Sequence, residues 1–415
     1  MSAPLGEVQH PEPAGTPRLI TPAFALAWLV NFTQYLIFYL LVTTMALYAV
    51  QEFAASDAAS GFASSSFVVG ATAARLVTGL IVDRLGRRPV MLIALAVVIV
   101  SCALYLPTGS LMLLILVRIL HGFAYAFAST ATMAIVQSVI PASRRAEGTG
   151  YFALGSTLAT AVGPALGLLV VGSFDYDVLF AVTLTTAVLG LVLGLFLRRP
   201  PAGATGQAPV DDAPGARFAL RGIMHPAVVP IGVFMLIIGL CYAGVITYLN
   251  AYAVERDVTT GAGLFFIAYA AAMLVMRFVL GKVQDRRGDN VVIRFGLVCF
   301  ALALVLLAVA AEDWQVVVAG ALTGLGYGTL MPACQAIAVS AVPAHQLGTG
   351  ISTLLLLADV GIGLGPVVLG VVLSRTGYAP MFAGLAVLVV IAAVFYQIVH
   401  GRHEAGRRAG LRPSP

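Results

Sequence analysis

The chain alternates long apolar runs with short polar breaks, and the runs continue unbroken over stretches such as 91–106 and 382–398. A helix that crosses a membrane needs about 20 mostly apolar residues. Twelve segments meet that requirement, at 22–50, 58–82, 89–107, 110–139, 146–172, 177–197, 226–254, 260–282, 290–311, 314–342, 346–373 and 378–399. A transmembrane barrel would instead show dyad alternation in segments of about ten residues. The first segment is not a secretory leader: it is too long, it contains Asn31 and Gln34, and no small-residue cleavage site follows it. The longest polar stretch, 198–222, holds Pro200, Pro201, Pro209, Pro214 and several glycines, and reads as a flexible linker. The expected organisation is a tail at 1–21, a six-helix bundle at 22–197, the linker at 198–222, a second six-helix bundle at 223–400 and a tail at 401–415. The fold class is an all-α membrane protein.

Composition removes the competing classes. The 415 residues are 60% hydrophobic and 10% charged, whereas soluble domains carry about 45–50% apolar and about 25% charged residues. A soluble enzyme, a disordered chain and a secreted disulfide scaffold are excluded. The net charge of +5 does not point to nucleic acid, because no run of five basic residues exists. With both termini placed inside the cell, the inner loops and tails hold 18 Arg and Lys, the outer loops hold Arg256 and Arg375, and Arg75, Arg118 and Arg277 lie within the membrane. That asymmetry follows the positive-inside rule and predicts cytoplasmic termini. The one lysine, Lys282, follows Gly281 but precedes Val283, so the Gly-Lys-Ser/Thr of a phosphate-binding loop is missing and an ATP-driven pump is not expected. Cys102, Cys241, Cys299 and Cys334 all lie in apolar segments without ligand spacing, so neither a metal nor another cofactor is expected.

The halves repeat one another. At an offset of 202 residues Arg75 matches Arg277, Gly79 matches Gly281, Asp83-Arg84 matches Asp285-Arg286 and Gly86 matches Gly288. The same offset pairs Gly122 and Tyr125 with Gly324 and Tyr327, Pro141-Ala142 with Pro343-Ala344, and Gly163-Pro164 with Gly365-Pro366. The twelve transmembrane helices therefore form two six-helix bundles related by a parallel internal repeat. Such a pair places a binding site at the midplane between bundles and moves it by rocking one on the other.

The stretch Gly79-Leu-Ile-Val-Asp83-Arg84-Leu-Gly86-Arg87-Arg88 closes the second helix. It resembles the loop 2–3 signature of the major facilitator superfamily, with a degenerate copy at Gly281–Gly288 in which Asp289 replaces a basic residue. The resemblance implies a gate: Gly79 permits close helix approach, and Asp83 meets a helix N-terminus or an arginine across the boundary between bundles, with Arg84, Gly86 and Arg87 in support. In the fifth helix Gly150, Ala159, Gly163-Pro164 and Gly167 are similar to the superfamily's antiporter motif, with Ala159 and Leu168 where the motif has glycine. Its small residues are expected to let that helix pack against the other half. Arg118-Ile-Leu-His121-Gly122 with Tyr125 is similar to the helix 4 motif, and puts a charge, an imidazole and a tyrosine on one helix face.

Asp359 is the one acid in the middle of a predicted helix. Its charge depends on whether a cation stands beside it, which suits a proton carrier. The resemblance implies that the second and eleventh helices are neighbours. Arg75 is eight residues from Asp83, about 12 Å along a helix, and Asp359 is eleven residues from Gly348, about 16 Å. Arg75 and Asp359 are therefore expected to pair near mid-membrane, with Arg118 the third proton-coupling candidate. The symmetric arginine, Arg277, faces Thr157 and has no acid. The expected pocket is mostly apolar with a few hydrogen-bonding groups: Asn31, Gln34, Tyr35 and Phe38, then His121 and Tyr125, then Tyr242 and Tyr248, then Tyr327 and Gln335.

Within the superfamily these motifs resemble drug/metabolite:proton antiporters of the arabinose-efflux-permease type, over residues 22–400. The expectation is a monomeric secondary transporter in the bacterial plasma membrane, neither an enzyme nor a nucleic-acid binder. It would export a small organic molecule (drug, metabolite or metallophore) by alternating access, with the proton as coupling ion. The alternatives are a proton-coupled importer of the same fold and a transporter-derived sensor or binding protein without flux.

Overall fold

The computed structural model describes residues 18–197 and 224–402. The linker, most of the N-terminal tail and all but the first residues of the C-terminal tail lie outside the described residues. The helices are α1 (Pro22–Phe53), α2 (Asp57–Leu85), α3 (Arg87–Leu104), α4 (Leu111–Val139), α5 (Arg145–Ser173) and α6 (Tyr176–Phe196), then α7 (Val229–Arg256), α8 (Thr259–Arg287), α9 (Asp289–Val309), α10 (Asp313–Ser340), α11 (Leu347–Thr376) and α12 (Tyr378–Tyr396). All twelve are long and apolar enough to cross a membrane.

Several helices run past the apolar segments, because helical hydrogen bonding continues into the polar ends until a local signal stops it. The α2–α3 turn is made by Gly86 at φ 90° and the α8–α9 turn by Gly288 at φ 97°, conformations that side chains resist. Side chains supply starts elsewhere: Thr21, Ser56, Ser110 and Asp175 accept from the first-turn backbones of α1, α2, α4 and α6, and Glu312 with Gln315 forms a capping box on α10.

The first bundle packs α1 on α5 and α6, and α4 on α2 and α3; the second repeats this with α7 on α11 and α12, and α10 on α8 and α9. Lipid gives helices no hydrophobic drive to associate, so close packing through small residues has to do it. A Cβ on Gly122 would fall 1.9 Å from the Phe67 carbonyl oxygen in α2, and one on the matching Gly324 would fall 2.3 Å from that of Tyr269 in α8. Large apolar residues such as Ile93, Leu116, Val298 and Val394 face outward.

The bundles meet through α2 with α11 and α5 with α8, supported by α4 with α11 and α5 with α10. One apolar cluster joins them, combining Val82, Met91 and Val136 with Val339, Leu347 and Ile351. It lies at the end that carries the α2–α3, α4–α5, α8–α9 and α10–α11 turns, called here the basic end.

Candidate functional site

Two carboxylates close the basic end. Asp83, at the end of α2, accepts hydrogen bonds from the backbone N–H groups of Gly348 (2.8 Å) and Thr349 (2.7 Å) and from the Thr349 hydroxyl (2.7 Å). Its repeat mate Asp285, in α8, accepts from the N–H groups of Ala146 (2.9 Å) and Glu147 (2.8 Å). Each acid thus caps the start of a helix in the opposite bundle, where unpaired N–H groups and the helix dipole favour negative charge. The degenerate second motif makes the same contact as the first. The glycines one turn away allow the approach: a Cβ on Gly79 would fall 2.6 Å from Thr349 Cα, and one on Gly281 would fall 2.6 Å from Glu147 Cα. Arg87 donates across the boundary to the Ala344 carbonyl and within its own bundle to that of Ala134. Arg84 is exposed.

Three groups here escaped sequence reasoning. Glu147 holds Arg144 at 2.7 Å and lies 3.8 Å from Lys282 of the other bundle. Thr349 adds its hydroxyl to the Asp83 cap, and the Ser352 hydroxyl donates to the Arg75 carbonyl at 2.7 Å. The repeat offset carried the signal for the first two, since Glu147 and Thr349 are mates. Asp289 is held within its own bundle, accepting from Gln284 (2.9 Å) and standing 3.0 Å from His400.

Deeper in the membrane, Arg75 Nε donates to Asp359 Oδ2 at 2.5 Å, joining α2 to α11 across the boundary. The Arg75 side chain is 7% exposed and that of Asp359 21%. On the opposite flank Arg277 Nε stands 3.4 Å from the Thr157 hydroxyl.

Above these charges lies a cluster of aromatic side chains, called here the aromatic chamber. Tyr35 packs edge-on against Tyr125, and Phe38 contacts Phe67, Tyr39 and Tyr125. In the second bundle Tyr242 stacks on Tyr327 with centroids 3.7 Å apart and is also stacked with Tyr269. Tyr35 and Tyr39 lie within electrostatic reach of Tyr327, and Tyr39 of Tyr242 and Tyr269. Tyr39, Tyr269 and Phe67 thus lie in the same aromatic cluster as Tyr35, Phe38, Tyr125, Tyr242 and Tyr327. Asn31, Gln34 and Gln335 are buried; Asn31 sits beside Gly155 of α5, and Gln34 beside Gly190 of α6 with both amide atoms unpartnered.

Four expectations need correction. Arg118 is not positioned for proton coupling: it donates to the carbonyls of Ala63 (3.4 Å) and Ser64 (2.7 Å) and lies over the Phe67 ring, fastening α4 to α2 inside one bundle. His121 is not a pocket residue: it is fully buried between Tyr105, whose hydroxyl is 3.1 Å from Nδ1, and the Phe67 ring. Tyr248 donates to the Pro366 carbonyl at 2.6 Å and so ties α7 to α11. Gly163 does not serve the contact between bundles. A Cβ on Gly163 would fall 2.5 Å from Tyr39 Cβ, and one on Gly167 2.9 Å from the Leu40 carbonyl oxygen, so this face of α5 is pressed on α1. Only Gly150, lower in α5, approaches α8, at 3.3 Å from the Arg277 carbonyl oxygen.

The profile of the Major Facilitator Superfamily matches residues 27–291 and 258–413. The chain belongs to the major facilitator superfamily. Its members are transporters of small molecules in membranes rather than enzymes. Multidrug resistance protein MdtG of Citrobacter koseri is 25% identical over 385 residues, covering 89% of this chain and 93% of that protein. The class G tetracycline resistance protein of Vibrio anguillarum is 28% identical over 306 residues, covering 72% of this chain and 77% of that one. The crystal structure of the human organic anion transporter MFSD10 (TETRAN) superposes with a TM-score of 0.75 at 18% identity, over 91% of this superfamily member and 99% of that chain.

Proposed function

We propose that this superfamily member exports a small organic molecule in exchange for protons, by alternating access, as a monomer in the bacterial plasma membrane with both termini cytoplasmic. The observation that carries the reading is the Arg75–Asp359 pair across the two bundles. An ionised Asp359 holds α2 to α11; a proton on Asp359 removes the attraction and releases one of the ties that keep the basic end shut. That makes bundle movement conditional on a proton, which is what coupling requires. Asp359 is the member of the pair that can take up a proton, the guanidinium being already protonated, and its side chain is 21% exposed. With the basic end taken as cytoplasmic on the positive-inside rule, the geometry corresponds to the state closed to the cytoplasm. Two relatives named as resistance proteins favour export over import. The aromatic chamber fits an apolar body with few polar groups.

The test is proton movement in inverted vesicles with an imposed gradient and a panel of organic solutes. Solute-dependent proton release from wild-type vesicles, absent with Asp359→Asn, is the expected result. Uphill transport by Asp359→Asn at the wild-type rate overturns the coupling.

A further inference from the structure

The two flanks beneath the chamber are chemically unequal. The repeat makes Arg277 the mate of Arg75 and Thr157 the mate of Asp359. Arg75 is neutralised by its acid. Arg277 is 9% exposed, and among the described residues no carboxylate pairs with it. Its one hydrogen bond among the described residues is the 3.4 Å contact to the Thr157 hydroxyl, which already donates to the Ala153 carbonyl at 3.0 Å. Among the described residues Arg277 Nη1 has no partner, which is equally true of Nη1 in Arg75 and Arg118. Arg118 differs in that two carbonyls and a ring hold the rest of its guanidinium. Arg277 also borders a cavity of about 20 Å³, shared with Gly150, Gly281, Gln284 and Thr329, which has room for about one water. It also lies within electrostatic reach of Tyr269, Tyr35 and Tyr327.

A buried guanidinium without a counter-ion is costly, and an anion supplied from solution relieves that cost. The planar fork suits a carboxylate. Arg75 is engaged by Asp359, so among the described residues these flanks offer one cation without a carboxylate, enough for a single negative charge and too few for a phosphate ester. The neighbouring tyrosines add aromatic faces and hydroxyl donors. We propose that Arg277 binds the carboxylate of the transported molecule, so that the substrate class is organic anions with an aromatic or apolar body. The proposal rests on the transport reading above for its meaning, but not for its test.

The experiment measures binding of benzoate and its neutral isostere benzamide to the purified full-length protein by saturation-transfer NMR titration. Wild type is expected to hold benzoate about tenfold more tightly than benzamide. Arg277→Gln removes the cation. Thr157→Asp keeps Arg277 and gives it the acid that its mate already has, so it tests the same charge without emptying a buried site. Both variants are expected to abolish the preference. Equal binding of the two probes, absence of saturable benzoate binding, or a preference that survives in Thr157→Asp overturns the proposal. Asp359-dependent proton movement driven only by neutral solutes would leave export standing and remove the anion site. An Arg277-dependent benzoate preference without proton movement for any solute would do the reverse.

Discussion

Asp359→Asn separates the ion pair from everything else in the site, because the substitution keeps the side-chain shape and removes one charge. Two unit charges about 4 Å apart attract by about 4 kcal/mol at an effective dielectric of about 20. Asp359 is 21% exposed, so solvent screens part of that, and the pair also had to be desolvated. A net loss of about 1.4–2.8 kcal/mol from the state closed at the basic end is a reasonable working value, equivalent to a shift of about 10- to 100-fold toward the open one. Ser143 and His345 are exposed repeat mates, one in each bundle, beside the α4–α5 and α10–α11 turns. The four native cysteines are free and buried, so nitroxides on Ser143→Cys and His345→Cys report the gap between bundles by pulsed electron resonance. Wild type should give mostly the short distance, and Asp359→Asn should populate a longer one. A distance distribution in Asp359→Asn that matches wild type would refute the claim that this pair biases the two states.

Asp83→Asn and Asp285→Asn should each cut turnover strongly at normal expression, and to similar extents, because both cap a helix of the other bundle; initial transport rates per inserted protein decide this, and normal transport by either variant removes that carboxylate from the gate. Gly79→Val should prevent closure at the basic end, since its Cβ would meet the Thr349 backbone; the same nitroxide pair should show only the long distance. Arg118→Lys should lower stability by about 1.5–3 kcal/mol through lost charge-assisted bonds while the proton dependence of transport stays as in wild type, measured by thermal unfolding beside vesicle flux. Alanine at Tyr35, Tyr125 or Tyr327 should weaken solute binding and leave proton coupling intact; three variants that bind as wild type would move the chamber elsewhere.

The fold was legible because the constraints on a membrane chain are few and periodic. Helix number follows from apolar length, and the two-bundle repeat from the offset linking Arg75 with Arg277 and Gly163 with Gly365. The Arg75–Asp359 pair was legible only with the superfamily resemblance, which implied that α2 and α11 are neighbours; rise per residue then set the depth of two charges that hydrocarbon tolerates poorly. What was hidden is azimuth. Arg118, His121 and Tyr125 share a helix face, but a face spans enough angle to touch α2, α3 and the chamber at once, and only Tyr125 reaches the chamber. Tyr248 failed for a similar reason, being turned to a carbonyl in α11. Gly163 was misassigned because glycine marks close approach without saying to which neighbour.

The glycine faces that press α5 on α1 and α11 on α7 also determine how force travels. Gly163 and Gly167 leave almost no gap between α5 and α1, and a Cβ on Gly361 would fall 2.1 Å from the Leu236 carbonyl oxygen in α7. Contacts that tight are stiff, so α5 cannot swing without carrying α1 along. The α1 segment bears Tyr35 and Phe38, while the start of α5 is the part clasped by Asp285. The welded pair therefore behaves as one lever, with the chamber along its middle and the latch at its tip. On the proposed function, a solute in the chamber presses directly on the arm that the latch must release, with no relay of side chains between them.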